Sequence, residues 1–147
     1  MYYLEHPHTH VSFEDAVSDF PLEFINKKPK GVPYSFWGLL EHIRLTQRDI
    51  MDFLENPDYK GPEWPEGYWP RPGAKANKAM WNKTIREFEK DFQALKKIVK
   101  NPKKDLLRRT PVRGSQIFRG AMQIADHTSY HLGEFVLMRR AMGIWER

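Results

Sequence analysis

The chain has 147 residues, of which 40% are hydrophobic and 29% are charged, and its formal net charge is +5. These values are typical of one globular domain with a core of its own, and the absence of cysteine excludes disulfides, thiolate nucleophiles and cysteine metal ligands. No apolar run approaches the ~20 residues of a membrane-spanning helix, and the N-terminus lacks the pattern of a secretory signal. We therefore expect a cytoplasmic protein with no membrane partner.

The basic residues are dispersed along the chain. Lysines stand at 27–30, at 96–100 and at 103–104, and lysines near the end of a helix are favoured by its dipole without any ligand. Because no nucleic-acid-binding motif accompanies them, we interpret the positive charge as a solvated surface and do not expect nucleic acid as a partner.

Two helices are predicted in the first half of the chain. A short one contains Phe13, Val17 and Phe20, with Ser12 as its N-cap and Pro21 at its end. The second begins near position 34, with the serine at 35 as its N-cap, and ends at positions 56–57. Its apolar residues recur with a helical period: Phe36, Leu39, Leu40, Ile43, Ile50 and Leu54.

Residues 57–73 form a long connection that contains five prolines interleaved with Trp64, Tyr68 and Trp69. A connection longer than about 12–15 residues in a small domain is commonly a functional lid or a disordered segment. Two interpretations stay open: the segment seals one end of the core, or it forms the wall of a pocket.

Two further helices are predicted in the second half. The third has an apolar seam with 4-3-4-3-4 spacing, a pattern that suits packing in a helical bundle, and it ends at Asn101-Pro102. The seam consists of Trp81, Ile85, Phe88, Phe92, Leu95 and Val99. After a connection with a turn near Pro111, the last helix is capped by Ser115 and ended by Gly143. We predict a single all-α domain over 1–147, a four-helix bundle whose first helix is short.

Two histidines of the last helix are candidate metal ligands. His127 and His131 are four residues apart, so they share one helix face with apolar residues that point inward. A buried polar group without a partner costs roughly 1–3 kcal/mol, and a bound metal would provide that partner. His42, at the edge of the apolar stripe of the second helix, can supply a third nitrogen. The alternating His6, His8 and His10 are a weaker candidate for a surface metal site.

A site with three imidazole ligands keeps coordination positions open for water or substrate, which is typical of catalytic sites. It suits zinc, nickel, copper or iron. Glu134 follows on the same face as an acceptor for a ligand, a general base or a fourth ligand, or simply as a partly exposed glutamate. Tyr130 stands at the rim, where its hydroxyl can donate to a ligand. Histidines satisfied by ordinary hydrogen bonds are the metal-free alternative.

Several segments together resemble the DinB-like superfamily, from about Val11 to Trp145. They are Glu41-His42-Ile43-Arg44, the stretch 126–134, Met138-Arg139-Arg140, Pro33-Tyr34-Ser35, Trp37, Asp49 and the stretch 64–70. The resemblance implies a four-helix bundle that binds one divalent ion through His42, His127 and His131. Dimers are common in this superfamily, so we expect a homodimer.

Characterised DinB-like relatives include S-transferases that use low-molecular-weight thiols, and hydrolase- or isomerase-like members. The resemblance therefore implies a metal-dependent transferase or hydrolase that activates water or a small thiol to attack a small-molecule substrate. We expect the substrate pocket to be lined by Tyr34, Trp37, Trp64, Trp69 and Tyr130. The alternative is a metal-free helical interaction protein with a vestigial pocket.

The chain departs from the relatives in two ways. Its first helix is short, which leaves one corner of the bundle incomplete or covered by a partner subunit. Gly120 and Glu134 stand where relatives of this branch often have glutamate and glutamine. Gly120 lies two turns before His127, and its missing side chain is expected to open space in the pocket.

Overall fold

A computed structural model of the chain describes residues 10–56, 58–109 and 116–145. Four α-helices account for most of this part: α1 Phe13–Val17, α2 Phe36–Glu55, α3 Lys78–Lys100 and α4 Ile117–Ala141. The described residues contain no β-strand, only an isolated antiparallel bridge between Arg109 and Gln116. The predicted all-α class is therefore confirmed. Among the helices of these residues, none has the length and apolar character needed to cross a membrane.

Polar caps begin the helices of the first half as predicted. The N–H of Asp15 donates to Oγ of Ser12 at 3.0 Å, and the N–H of Gly38 donates to Oγ of Ser35 at 3.1 Å. The first helix is shorter than expected, because α1 has only five residues and ends at Val17. Phe20 lies beyond it but is still buried in the core.

The later helices end close to the predicted residues. α3 ends at Lys100 with Asn101 as its C-cap, and α4 is followed by Gly143 with a φ of 69°, a value that favours glycine. The residue before α4 is Gln116, whose side chain makes no capping hydrogen bond. Five residues named in the sequence predictions lie outside the described part of the chain: His6, His8, Pro57, Pro111 and Ser115.

The core forms where α2 packs against both α3 and α4. Phe36, Leu39 and Ile43 of α2 are fully buried, in agreement with the apolar period of that helix. Arg139 of α4 is also buried, and its Nη1 donates to the carbonyl oxygen of Ala16 at 2.7 Å. This buried guanidinium therefore joins the end of α1 to the end of α4.

Gly120 does not open space in a pocket, and that expectation is wrong. The residue is buried in α4, and a Cβ placed on it would lie 2.5 Å from Cδ1 of Leu54 on α2. The leucine therefore occupies the volume that the missing side chain leaves, and Gly120 allows the two helices to pack closely.

Candidate metal centre

The structure brings His42, His127 and His131 together between α2 and α4. Nε2 of His42 lies 3.2 Å from Nε2 of His131 and 3.1 Å from Nε2 of His127. One ligand atom from each of the three residues lies within 4.8 Å of the others. For metal–nitrogen bonds of about 2.0–2.1 Å, adjacent ligand nitrogens stand roughly 3.0–3.4 Å apart. Both measured nitrogen separations fall within that range.

The orientation of His42 is set by the proline- and aromatic-rich segment. Nδ1–H of His42 donates to the carbonyl oxygen of Tyr68 at 2.8 Å. The ring of Trp69 stacks on the imidazole at a centroid distance of 3.8 Å and an interplanar angle of 2°. The segment thus covers the histidine cluster on one side, and its Trp69 also packs against the main core, so both interpretations of its sequence stay open.

His131 is held by a carboxylate on its own helix. Its Nδ1–H donates to Oε2 of Glu134 at 2.6 Å, so Glu134 binds the ring nitrogen that faces away from the other histidines. Tyr34 also bonds Glu134, and burial together with this bond raises the pKa of Tyr34 to about 12. The phenol therefore remains a donor at neutral pH. The ring of Tyr130, which is 66% exposed, meets the His131 ring edge-on at 4.8 Å.

These hydrogen bonds determine where the ring protons are. A backbone carbonyl and a carboxylate only accept, so His42 and His131 each carry their proton on Nδ1. When both rings are neutral, each has only this one N–H, and both Nε2 atoms hold lone pairs. At their 3.2 Å separation two such lone pairs repel each other, and a metal ion or a proton between them removes the repulsion.

Burial favours the neutral form of two of the three histidines. Burial, followed by the proximity of His131 and His42, lowers the pKa of His127 to about 4. Burial also lowers the pKa of His42, against the opposing effect of the Tyr68 carbonyl. Since neutral imidazole is the form that binds metal ions, these two residues are ready to act as ligands at neutral pH.

The structure does not bring two of the predicted pocket residues to this cluster. Trp37 donates from Nε1 to Oγ1 of Thr84 at 3.2 Å, at the contact between α2 and α3. Because it precedes His42 by five residues, it points about 140° away around the helix. Trp64 is 72% exposed and its ring contacts that of Tyr68. The predicted pocket residues next to the histidine cluster are thus Tyr34, Trp69 and Tyr130.

The carbonyl of Tyr68 is a site group that sequence reasoning missed. A backbone oxygen has no residue type to mark it, and no sequence signal could have identified it. Glu41 precedes His42 in the chain, but its side chain is directed away from the cluster. It accepts hydrogen bonds from Arg44 and from Thr84, which hold it on the α3 side of α2.

Comparisons of the chain with protein-family models, with curated proteins and with solved structures find no match. The DinB-like resemblance therefore rests on the sequence segments alone.

Proposed function

We propose that this chain is a DinB-like four-helix-bundle metalloenzyme that binds one divalent transition metal ion through His42, His127 and His131. The observation that supports this most directly is the 3.2 Å approach of the Nε2 atoms of His42 and His131. Both rings donate a hydrogen bond from Nδ1–H to other groups. A shared divalent ion explains why two lone pairs face each other there.

The donor set favours a catalytic role over a structural one. The cluster contains three imidazole nitrogens, and within the described residues no cysteine, aspartate or glutamate joins it. Three protein ligands leave at least one coordination position open. An ion bound in this way acts as a Lewis acid that promotes loss of a proton from water or a thiol near neutral pH. Zinc, nickel and iron all suit such ligands.

Three side chains around the cluster have roles that follow from their contacts. Glu134 fixes the His131 ring and the Tyr34 hydroxyl. Trp69 covers one face of His42, and its ring also stacks on that of Tyr34 at 5.1 Å. With the exposed ring of Tyr130 at the rim, this aromatic surface suits a small substrate with an apolar part. A low-molecular-weight thiol is the second substrate that the resemblance implies.

A metal-free interaction protein fits the same geometry less well. The His127 ring can place a proton on Nε2 and donate it across the 3.1 Å gap to His42. With both rings neutral, that leaves no donor for the 3.2 Å contact between His42 and His131, and the metal-free form needs a second proton on His131, paired with Glu134. Hydrogen bonds among neutral histidines therefore satisfy only one of the two contacts.

The enzymatic part of the proposal is tested by turnover. The wild-type protein is loaded separately with zinc, nickel and iron, then assayed for transfer of a small thiol to an electrophile and for hydrolysis of activated esters. We expect metal-dependent turnover that falls at least about 100-fold in His131→Ala. The exposed His10 provides the matched control, and His10→Ala should retain full activity.

Two results would contradict the proposal. Turnover that is unchanged in His131→Ala would mean that the chemistry occurs elsewhere. No turnover in either reaction class, with a fully loaded wild-type protein, would reject the transferase and hydrolase activities. Only the metal-binding part of the proposal would then remain.

A further inference from the structure

We infer that Asp49 is a positioning residue for His42, acting through Tyr68. It fastens the proline- and aromatic-rich segment to α2, so that this segment holds the imidazole in the orientation that metal binding needs. The inference rests on the proposed function, because it takes His42 to be a metal ligand.

Asp49 is the anchor of this segment on α2. Its Oδ1 accepts from the hydroxyl of Tyr59 at 2.7 Å, and its Oδ2 accepts from the hydroxyl of Tyr68 at 3.0 Å. The backbone also passes close by, since a Cβ placed on Gly61 would lie 3.3 Å from Oδ1. One carboxylate therefore holds two points of the segment and lies close to a third.

Tyr68 connects the Asp49 carboxylate to His42. Its hydroxyl is bound to Asp49 while its carbonyl oxygen accepts from Nδ1 of His42 at 2.8 Å. Asp49 follows His42 by seven residues, about two helical turns, so both lie on one face of α2. A single tyrosine thus spans the distance between the carboxylate and the imidazole.

The next residue adds a second constraint. Trp69 stacks in parallel on the His42 ring at 3.8 Å, so the carbonyl and the indole together fix both the tilt and the rotation of the imidazole. Moving the segment would change both at once. The orientation of His42 therefore depends on the position of the whole segment.

His42 obtains this support from the segment rather than from its own helix. His131 has Glu134 three residues away on α4. The acidic neighbour of His42 is Glu41, which is bound to Arg44 and Thr84 instead. Burial and the bond to Asp49 raise the pKa of the Tyr68 phenol, so it remains a donor to the carboxylate at neutral pH.

The test measures Zn²⁺ affinity, by competition with a chelator, in variants that leave all three histidines intact. Loss of a group that orients a metal ligand typically lowers affinity by about 10–100-fold, and we expect a loss in this range for Asp49→Ala. Tyr68→Phe, which removes one oxygen and keeps the carbonyl, should give a smaller loss. Combining the two should add little to Asp49→Ala alone. The exposed Asp58 serves as control, and Asp58→Asn should bind as the wild type does.

A second readout separates positioning from general stability and does not need the metal. In the metal-free protein, ¹⁵N-detected NMR of the imidazole should show His42 as the Nδ1–H tautomer with a hydrogen-bonded ring proton. That signal should shift or broaden in Asp49→Ala and in Tyr68→Phe, and remain unchanged in Asp58→Asn. If Asp49→Ala does not fold, Tyr68→Phe carries the test on its own.

The outcomes distinguish this inference from the proposed function. A wild-type protein that binds no divalent ion contradicts the metal site, while the NMR signal still tests whether Asp49 orients His42. Unchanged Zn²⁺ affinity together with an unchanged His42 signal in the Asp49 and Tyr68 variants would overturn the positioning role.

Discussion

The Nε2 atoms of His42 and His131 lie 3.2 Å apart, and each ring donates a hydrogen bond from Nδ1–H to an acceptor on its other side. In one ring the acceptor is the Tyr68 carbonyl and in the other it is the Glu134 carboxylate. Such outer acceptors fix the tautomer of a ligand histidine and raise its basicity. The contacts around the cluster thus prepare both nitrogens to bind one cation.

Glu134 is expected to contribute to metal affinity without binding the metal itself. Glu134→Ala removes the acceptor for Nδ1 of His131 and should weaken Zn²⁺ binding by about 10–100-fold. Glu134→Gln keeps an acceptor oxygen and should lose less. Chelator competition measures both, with the exposed Glu63 as control in Glu63→Ala. Equal affinity in wild type and Glu134→Ala would show that His131 needs no such support.

Gly120 and Gly133 should respond in opposite directions to alanine, although both lie in α4. A Cβ on Gly120 would lie 2.5 Å from Cδ1 of Leu54, whereas a Cβ on Gly133 meets nothing within 4 Å. Gly133→Ala should stabilise the protein by up to about 1 kcal/mol through helix propensity. Gly120→Ala should destabilise it by about 1–3 kcal/mol through overpacking. Chemical denaturation measures both, and a stabilising Gly120→Ala would contradict the close packing of α2 and α4.

Arg139 is expected to be a major determinant of stability. It is 1% exposed and donates to the carbonyl oxygens of Ala16 and Ile144 and to Asp19. Arg139→Met leaves the buried carbonyl oxygen of Ala16 without its donor, at about 1–3 kcal/mol, and also removes the part-buried bonds to Ile144 and Asp19. We expect the free energy of unfolding to fall by about 2–5 kcal/mol. The exposed neighbour Arg140 serves as the control, because Arg140→Met should change the free energy of unfolding little.

Metal-free protein should lose stability as the pH falls. The folded-state pKa of His127 is about 4 against an ordinary value of 6.5, so between these values the unfolded chain binds a proton that the folded protein does not. The free energy of unfolding therefore decreases as the pH is lowered from 6.5 to 4. Denaturation in the presence of a chelator measures the slope, which His127→Gln should flatten and His10→Gln should not. Identical slopes in all three proteins would contradict the burial of a neutral His127.

Sequence signals that act over a few residues predicted several helix ends and the positions of the candidate histidine ligands. The capping serines at 12 and 35, the asparagine at 101 and the glycine at 143 mark helix ends through their own hydrogen bonding or φ preference. Spacing alone placed His127 and His131 on one face, and the edge position of His42 indicated a crevice. These features depend on neighbours within a few residues along the chain.

Features that depend on distant contacts were not predictable in this way. Whether Gly120 opens a pocket or accommodates Leu54 depends on the packing of α2 against α4. Trp37 and Trp64 are the same residue type as Trp69, and only the path of the chain decides which of the three rings reaches His42. The role of Asp49 is visible only once two tyrosine hydroxyls are seen on its carboxylate.

Elemental mass spectrometry measures whether the three imidazoles hold one divalent ion. Untagged protein is purified without chelator beside His42→Ala, His127→Ala, His131→Ala and the control His10→Ala. We predict close to one transition-metal ion per chain in the wild type and in His10→Ala, and its loss in the other three with helical content retained. Full occupancy in any of those three variants would contradict the site. So would a wild-type protein that stays metal-free after reconstitution with zinc, nickel, iron and manganese.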